Sequence, residues 1–198
     1  AGEAPPRLEP WIQWVTVHSG QPCSDHQVQH LGDGHRLATA QVWDLLSASG
    51  LKVWVCGSMN VRYDRPLNGA VLPDPWSTGA TPHPDGYFDH YCTFVRRNVQ
   101  EYTSNRVPLS AADYLRFLAF MAGHGLSLAT VAAIARQLAG ERLTGRGKWR
   151  RVALLDRLQF DLFRWYYRHQ QPDFSTFFLN STAHLQHMYW RNMEPDVF

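Results

Sequence analysis

Hydrophobic periodicity divides the first part of the chain into a helix, a second helix and a strand. Pro10–Val17 predicts a short helix, because proline suits the first helical turn, where its missing N–H is not needed. Thr39–Ser49 is amphipathic, and Gly50 directly after it is typical of a helix C-cap. Leu51–Cys56 is a β-branched and aromatic run, which predicts a short and largely buried strand. A helix, a glycine and a buried strand in succession indicate an α/β fold.

The rest of the chain predicts helices followed by one more strand. Residues 57–108 are rich in proline, glycine and aromatic side chains, and a segment of this length is expected to be functional or to carry small elements of its own. Residues 109–140 predict helices, with Ser110 as an N-cap. Arg150–His169 predicts a third helix with one apolar stripe, and Phe174–Leu179 a second buried strand.

One apolar stretch needs a separate interpretation. Phe117–Ala135 has no formal charge and is about long enough to span a bilayer. Gly123 and Gly125 within it are typical of a turn, and Arg116 and Arg136 flank it. We interpret the stretch as a buried helical hairpin, with a membrane span as the alternative.

Composition favours a folded core and gives no sign of a polyanionic partner. Hydrophobic residues make up 44% of the chain, which is enough for a core. The formal net charge is +2 with scattered basic residues, so neither nucleic-acid nor membrane-surface binding is predicted. The densest basic run, Arg142–Arg151, is spaced by glycines and is interpreted as a solvated loop.

Cysteine usage and the start of the chain leave the cellular compartment open. Three cysteines without paired spacing do not predict a disulfide framework or a zinc site, and Cys56 lies in an apolar run that predicts a core thiol. The start at Ala1, with neither an initiator methionine nor a signal peptide, is interpreted as the start of an internal segment of a longer protein.

Two groups of residues could carry chemistry. Asn180, His184 and His187 follow the second predicted strand, and imidazole is the commonest neutral nitrogen ligand for zinc. A turn or a first helical turn there could direct two of these groups at one ion, and the alternative is a pair of hydrogen-bonded histidines near a helix start.

The second group lies in and after the first predicted helix. It offers a hydroxyl, an amide and two imidazoles, from Thr16, Gln13, His18 and His26. The N-terminus of such a helix can also hold an anion. The alternative is an ordinary aromatic helix with its loop.

Four segments together follow a pattern known from one group of metal hydrolases. That group has a nucleophile segment ending in Thr-Gly-x-x-Pro-x-x-His-Gly, and Ser19–Gln27 resembles it, with Gly20 and His26 at the pattern's positions. Its next helix contains Trp-x-x-Leu before a glycine and a strand, as Val42–Leu46 does here. A later strand leads into Asp-x-x-x-His, and Asn180–His184 stands at that place. A subset reads Asp-Arg-x-Gln-His-x-Phe-Trp-Arg, which Ala183–Arg191 resembles. The chain therefore resembles the alkaline-phosphatase-like superfamily, in its type I phosphodiesterase/nucleotide-pyrophosphatase branch, over about residues 8–196.

The resemblance implies a fold and an activity. The expected fold class is α/β, a partial alkaline-phosphatase-like α/β/α sandwich with a mainly helical insertion. Residues 1–108 would hold the nucleophile segment, the first strand and a long loop, 109–169 the helical insertion, and 170–198 the strand and metal motif of the same α/β domain. The expected activity is metal-dependent hydrolysis of phosphate mono- or diesters or of related sulfate or phosphonate esters.

The resemblance also implies a site. Two divalent ions, zinc or else manganese or magnesium, would flank a small anionic ester substrate. The implied residues are Thr16 and Gln13 for catalysis, His18 and His26 for substrate, and Asn180, His184 and His187 for metal.

Three departures from the family pattern keep a second function open. The nucleophilic threonine falls at Pro10, which has no hydroxyl, and Thr16 is the nearest one. Asn180 replaces the metal-binding aspartate in the first alignment register. In the second register that position is Ala183 and the motif histidine is His187. We prefer the first register, and the alternative function is a non-catalytic binding or scaffold member of the same fold.

Overall fold

Three short parallel strands form the sheet in the computed structural model, which describes residues 9–77, 79–99 and 108–193. The strands are β1 (Val53–Cys56), β2 (Gly69–Leu72) and β3 (Phe174–Phe177), in the order β2-β1-β3. In the register, Val55 of β1 lies opposite Val71 of β2 and Thr176 of β3. The fold is therefore mixed α/β, as expected, although helices make up most of the described chain.

Eight α-helices surround the sheet in the described ranges. They are α1 (Pro10–Ser19), α2 (Cys23–His26), α3 (Val42–Ala48), α4 (Asp89–Val99), α5 (Ala111–Gly123), α6 (Leu128–Thr144), α7 (Arg151–Gln170) and α8 (Asn180–Met193). Short 3-10 turns precede α3 and α7, at Asp33–Arg36 and Lys148–Arg150. Because α4 to α7 lie between β2 and β3 in the sequence, the chain crosses to the other side of β1 before it forms β3.

Side-chain caps decide where two of the helices begin. At the start of α5, the Ser110 hydroxyl accepts from the Asp113 N–H at 3.2 Å, and the Asp113 carboxylate accepts from the Ser110 N–H at 2.9 Å. The predicted cap at Ser110 is confirmed. Helix α3 starts at Val42 rather than Thr39, because the Asp44 carboxylate accepts from the Gln41 N–H at 2.8 Å and fixes the first turn there.

Successive side chains of β1 point to opposite faces of the sheet, and both faces are buried. Trp54 of β1 packs against Tyr166 of α7, with ring centroids 4.6 Å apart, in a cluster that also includes residues of α4 and α5. Val53 and Val55 point to the other face, where Trp43 of α3 covers them. Helices therefore lie on both faces of the sheet, and α7, within the predicted helical insertion, packs directly on the strands.

The segment 57–108 carries β2 and α4, in agreement with the expectation that it could hold small elements of its own. The sequence pattern did not locate these elements, because β2 has only four residues and begins with Gly69. Strand β3 is partly exposed rather than buried, since it is an edge strand of the described sheet and pairs only with β1 there.

The predicted apolar hairpin forms as two helices, but much of it is exposed. The turn lies at residues 124–127, between α5 and α6, as the glycines indicated. Within the predicted stretch, Leu128 of α6 is 87% exposed and Val131 is 45% exposed, and Thr130 is the residue of this helix that is fully buried. The expectation of a buried hairpin is wrong for α6. None of the helices in the described ranges combines the length and the apolar character that a membrane crossing requires.

Substitution of Gly69 tests the close approach of β2 to β1. Its φ is +138°, and an added Cβ would overlap the Val53 carbonyl oxygen of the neighbouring strand. We expect Gly69→Ala to lower the free energy of unfolding by at least about 3 kcal/mol in chemical denaturation. Gly86→Ala is the matched control, because Gly86 also has a positive φ but has no atom within 4 Å of the added Cβ. It should cost about 1 kcal/mol, and equal losses in both variants would contradict the steric explanation.

Candidate functional site at the carboxyl edge of the sheet

The crevice between β1 and β3 is the place where this topology predicts a ligand. The chain passes from β1 to β2 on one side and reaches β3 on the other, and ligands of open parallel sheets bind beyond the carboxyl ends of strands at such a reversal. Ser58, two residues after β1, is buried, and its hydroxyl lies 3.0 Å from that of Thr176 near the end of β3. Two hydroxyls therefore join the strands at this edge.

Asn60 holds helix α1 against this edge. Its Oδ1 accepts from the backbone N–H groups of Gly32 and Gly34 at 2.8 and 3.3 Å. Its Nδ2 donates to the carbonyls of Trp11 and His30, each at 3.2 Å. The side chain is completely buried and uses four hydrogen bonds, so the end of β1, the loop at residues 30–34 and α1 are fixed to one another.

Trp14 connects α1 to the segment between β3 and α8. Its ring meets that of Phe178 edge to face, with centroids 5.5 Å apart. Phe178 lies two residues before Asn180, the first residue of α8. The first predicted group of site residues and the start of the second are thereby neighbours in space.

His18, predicted to bind substrate, lies in an aromatic core. It is 8% exposed and lies between Trp14 and Trp43, with ring centroids at 5.4 and 4.8 Å. Burial lowers the pKa of His18 to about 4. Within the described residues its Nδ1 is buried without a hydrogen-bond partner. The imidazole is thus neutral at pH 7, and it is not presented to a ligand at the surface.

Thr16 and His26 are in contact, but the proton lies on the wrong side for base catalysis. The Val28 N–H donates to His26 Nδ1 at 3.1 Å, so the proton of the neutral imidazole is on Nε2. Nε2–H then donates to the Thr16 hydroxyl at 3.1 Å, and that hydroxyl donates to the Ile12 carbonyl at 3.4 Å. Burial lowers the pKa of His26, with the nearby Asp25 opposing the shift. In this arrangement His26 fixes the hydroxyl and does not remove its proton.

The predicted residues of α1 do not converge on one point. Gln13 is exposed, whereas His18 is buried. They are five residues apart, which places them about 140° apart around the helix. Thr16 is half-buried and lies about 60° from Gln13 and about 160° from His18, so Gln13 and Thr16 face one side of α1 and His18 faces the sheet side.

Helix α8 carries the three predicted metal ligands on one stripe. Asn180, His184 and His187 occupy positions i, i+4 and i+7 of the helix, where the sequence predicted a turn or first helical turn. His184 is exposed and Asn180 half-buried, whereas the side chain of His187 lies outside the described residues. The described residues contain no group of three or more His, Cys, Asp or Glu side chains that could hold a metal ion.

The N-terminus of α8 is capped by a carboxylate that the sequence reading missed. Asp156 of α7 accepts from the backbone N–H groups of Asn180 and Ser181 at 3.2 and 2.9 Å. Gln159, one turn further along α7, donates to the Phe178 carbonyl at 2.9 Å. Asp156 therefore occupies the anion-attracting end of α8. The sequence does contain a signal for this cap, because Asp156 and Gln159 are polar residues three positions apart on the apolar side of the predicted helix.

A second buried carboxylate lies just past β2. Asp74 accepts from the Trp76 N–H at 2.8 Å and from the Ser77 hydroxyl. Burial raises its pKa to about 6, although these hydrogen bonds oppose the shift. Asp74 closes a turn at the same edge of the sheet, where a single-sequence pattern shows only a proline-rich loop.

Comparisons of the chain with protein-family models, curated proteins and solved structures find no match. What bears on function is therefore the geometry at this edge. It joins α1, the ends of β1 and β3, and the start of α8.

The buried, neutral His18 predicts a pH-dependent stability. Between about pH 6.5 and 4 the unfolded chain binds a proton at His18 that the folded chain does not, so this residue lowers stability as the pH falls through that window. Relative to pH 7.5, we expect the wild-type protein at pH 4.5 to lose roughly 2 kcal/mol more than His18→Phe. Denaturant unfolding of both proteins measures the difference. The contribution of Asp74 to stability changes with pH in the opposite direction, but it is the same in the wild-type protein and in the variant and therefore cancels in the comparison. If the free energy of unfolding changed with pH equally in both proteins, a buried and neutral His18 would be contradicted.

Proposed function

We propose that this chain is part of a metal-dependent hydrolase of phosphate mono- or diesters, or of related sulfate or phosphonate esters. The observation that carries the proposal is the contact of Trp14 with Phe178, which brings α1 beside the start of α8 at the carboxyl edge of a parallel sheet. This edge is where the motifs resembling the type I phosphodiesterase branch of the alkaline-phosphatase-like superfamily would have to meet.

Residues of α1 would bind the anionic ester. Gln13 is exposed, and its amide N–H could donate to a non-bridging oxygen as negative charge develops there. Thr16 lies one turn further along the helix. For Thr16 to act as nucleophile, His26 would have to give up its present hydrogen bond or change tautomer. Attack by the Thr16 oxygen would break the ester bond and release the alcohol of the substrate, and water would then cleave the covalent ester on Thr16 to release the acid.

The donors on α8 fit part of a zinc coordination sphere. The Asn180 amide oxygen and the His184 ring nitrogen are one helical turn apart, and His187 continues the stripe. Zinc takes four ligands, or three and a water, and the described residues do not supply a closed set. Two bound zinc, manganese or magnesium ions would polarise the ester and activate the attacking oxygen. The protein's part is to hold them with Asn180, His184 and His187, together with ligands from elsewhere.

The finer architecture belongs to the same proposal. Helices on both faces of the sheet support an α/β/α sandwich of the alkaline-phosphatase type. Residues 1–108 and 170–198 would form the α/β domain and 109–169 its helical insertion. The packing of α7 on the strands indicates that this insertion shares its core with the sheet.

A non-catalytic binding member of the same fold is the second candidate. The observation that favours it is the hydrogen-bonded Thr16 hydroxyl, to which the neighbouring His26 imidazole donates rather than accepting its proton. Pro10 at the position of the family nucleophile and the neutral Asn180 point the same way.

Turnover of a chromogenic phosphodiester with metal analysis distinguishes the two candidates. We expect the full-length protein to bind divalent metal, to hydrolyse bis(p-nitrophenyl) phosphate, and to lose this activity with a chelator. His184→Ala should lower kcat/KM by roughly 10- to 100-fold or more and reduce the metal content. His90→Ala is the matched control, because His90 is an exposed histidine of α4, and it should behave as wild type.

Each outcome has a defined consequence. Metal-dependent turnover that His184→Ala abolishes and His90→Ala retains supports the hydrolase. Absence of both metal and chelator-sensitive turnover favours the binding protein. Turnover that is insensitive to chelator and unchanged in His184→Ala would contradict the metal assignment.

A further inference from the structure

Positive charge is concentrated at the junction of α6 and α7. Residues 142–151 contain five cations, and Glu141 is the one carboxylate among residues 141–151, which gives this segment a formal charge of +4. Because the whole chain has a net charge of +2, the remaining residues sum to −2. A basic segment on an otherwise slightly acidic chain attracts anions to one place. We call residues 141–151 the basic junction.

The one carboxylate of the basic junction is already fully engaged. Arg151 donates to the Glu141 carboxylate through Nε at 3.0 Å and through Nη2 at 2.5 Å. Gln137 donates to the same carboxylate at 2.8 Å, and the hydrogen bonds from Arg151 and Gln137 lower the pKa of Glu141. Within the described residues, Arg142 and Lys148 have no ion-pair partner. Of the cations without an ion pair, Arg142 and Lys148 are the two that line the cleft described below, where they can bind an external anion.

The turn between α6 and α7 places these two cations on one cleft. Gly145 and Gly147 have φ values of +66° and +90°, which let the chain reverse within three residues. Gln137 holds the turn by donating to the Gly147 carbonyl at 2.7 Å. The resulting cleft has a volume of about 670 Å³ and is lined by Leu138, Ala139, Glu141, Arg142, Lys148 and Arg151. This volume is typical of small-molecule sites. The segment expected to be a solvated loop therefore forms a shaped surface.

We infer that this cleft binds a small anion carrying two or more phosphate or sulfate groups. Arg142 and Lys148 approach it from the end of α6 and from the 3-10 turn before α7, so one anionic group can bind at each. A guanidinium matches two oxygens of a phosphate, and an ammonium acts as a point charge. Leu138 and Ala139 supply an apolar wall, so a linear diphosphate with an organic substituent fits the lining.

The cleft is separate from the predicted metal stripe but borders the same helix. Trp149 of the basic junction contacts Tyr189 of α8, with ring centroids 5.6 Å apart. Tyr189 is two residues from His187, but the residues that line the cleft belong to α6, to the turn after it and to α7, and none of them belongs to α8. The inference therefore does not depend on the proposed hydrolase activity, and it is tested by binding in the presence of chelator.

Calorimetric titration with inorganic pyrophosphate tests the cleft. The full chain is titrated in low salt with chelator, alongside orthophosphate and sulfate as single-group anions. We expect saturable pyrophosphate binding that is at least tenfold tighter than either of these and that weakens with added salt. Arg142→Gln and Lys148→Gln should each weaken it roughly tenfold. Arg136→Gln is the matched control, because Arg136 is an exposed arginine of α6 outside the cleft, and it should bind as wild type.

The remaining outcomes overturn the inference. No saturable pyrophosphate binding, or equal weakening by all three substitutions, would show a diffuse surface charge and no site. A single-stranded oligonucleotide that binds while pyrophosphate neither binds nor displaces it would indicate a nucleic-acid surface instead. Circular dichroism of each variant confirms that it is folded. If Lys148→Gln fails to fold, Arg142→Gln decides the result alone, because Arg142 is exposed and makes no ion pair with a described carboxylate.

Discussion

The hydrogen bonds of one buried amide, that of Asn60, hold together the part of the molecule where function is expected. Asn60 lies four residues after the central strand and binds two N–H groups of the loop at residues 30–34, together with the carbonyls of Trp11 and His30. A buried amide with unmatched partners would be costly, so these four bonds are either all present or the local structure rearranges. The position of α1 relative to the sheet is thus a consequence of one side chain.

Fixing α1 at that edge determines what its residues can do. The same helix carries an exposed Gln13, a hydrogen-bonded Thr16 and a buried His18. Their environments follow from the orientation of α1 about its own axis, which the contacts of Asn60 and Trp14 fix. Packing of Trp14 on Phe178 then brings the start of α8 into the same neighbourhood. Chemistry at this edge would therefore use one face of α1 and one stripe of α8, with the aromatic cluster around His18 as structural support.

Helix α7 links the two regions to which a function is assigned. Its second turn caps α8 through Asp156, and its first residue, Arg151, pairs with Glu141 in the basic junction. Its apolar side packs on Trp54 of the sheet. A rigid helix with these three attachments keeps the cleft at the basic junction and the start of α8 in a constant relation, although they are chemically different surfaces.

The sequence by itself determined the class of fold and several of its elements, but it did not locate β2 or α4. Periodicity and caps depend on neighbours along the chain, so the strand at Val53–Cys56, the Ser110 cap and the long α7 could be read directly. The candidate residues also came from motifs in sequence. Only the tertiary structure decided that His18 is buried and that His26 donates to Thr16, because burial and tautomer depend on residues distant in sequence or on backbone geometry. For the same reason the roles of Asn60, and the exposure of α6, could not be predicted: both result from contacts that no local pattern records.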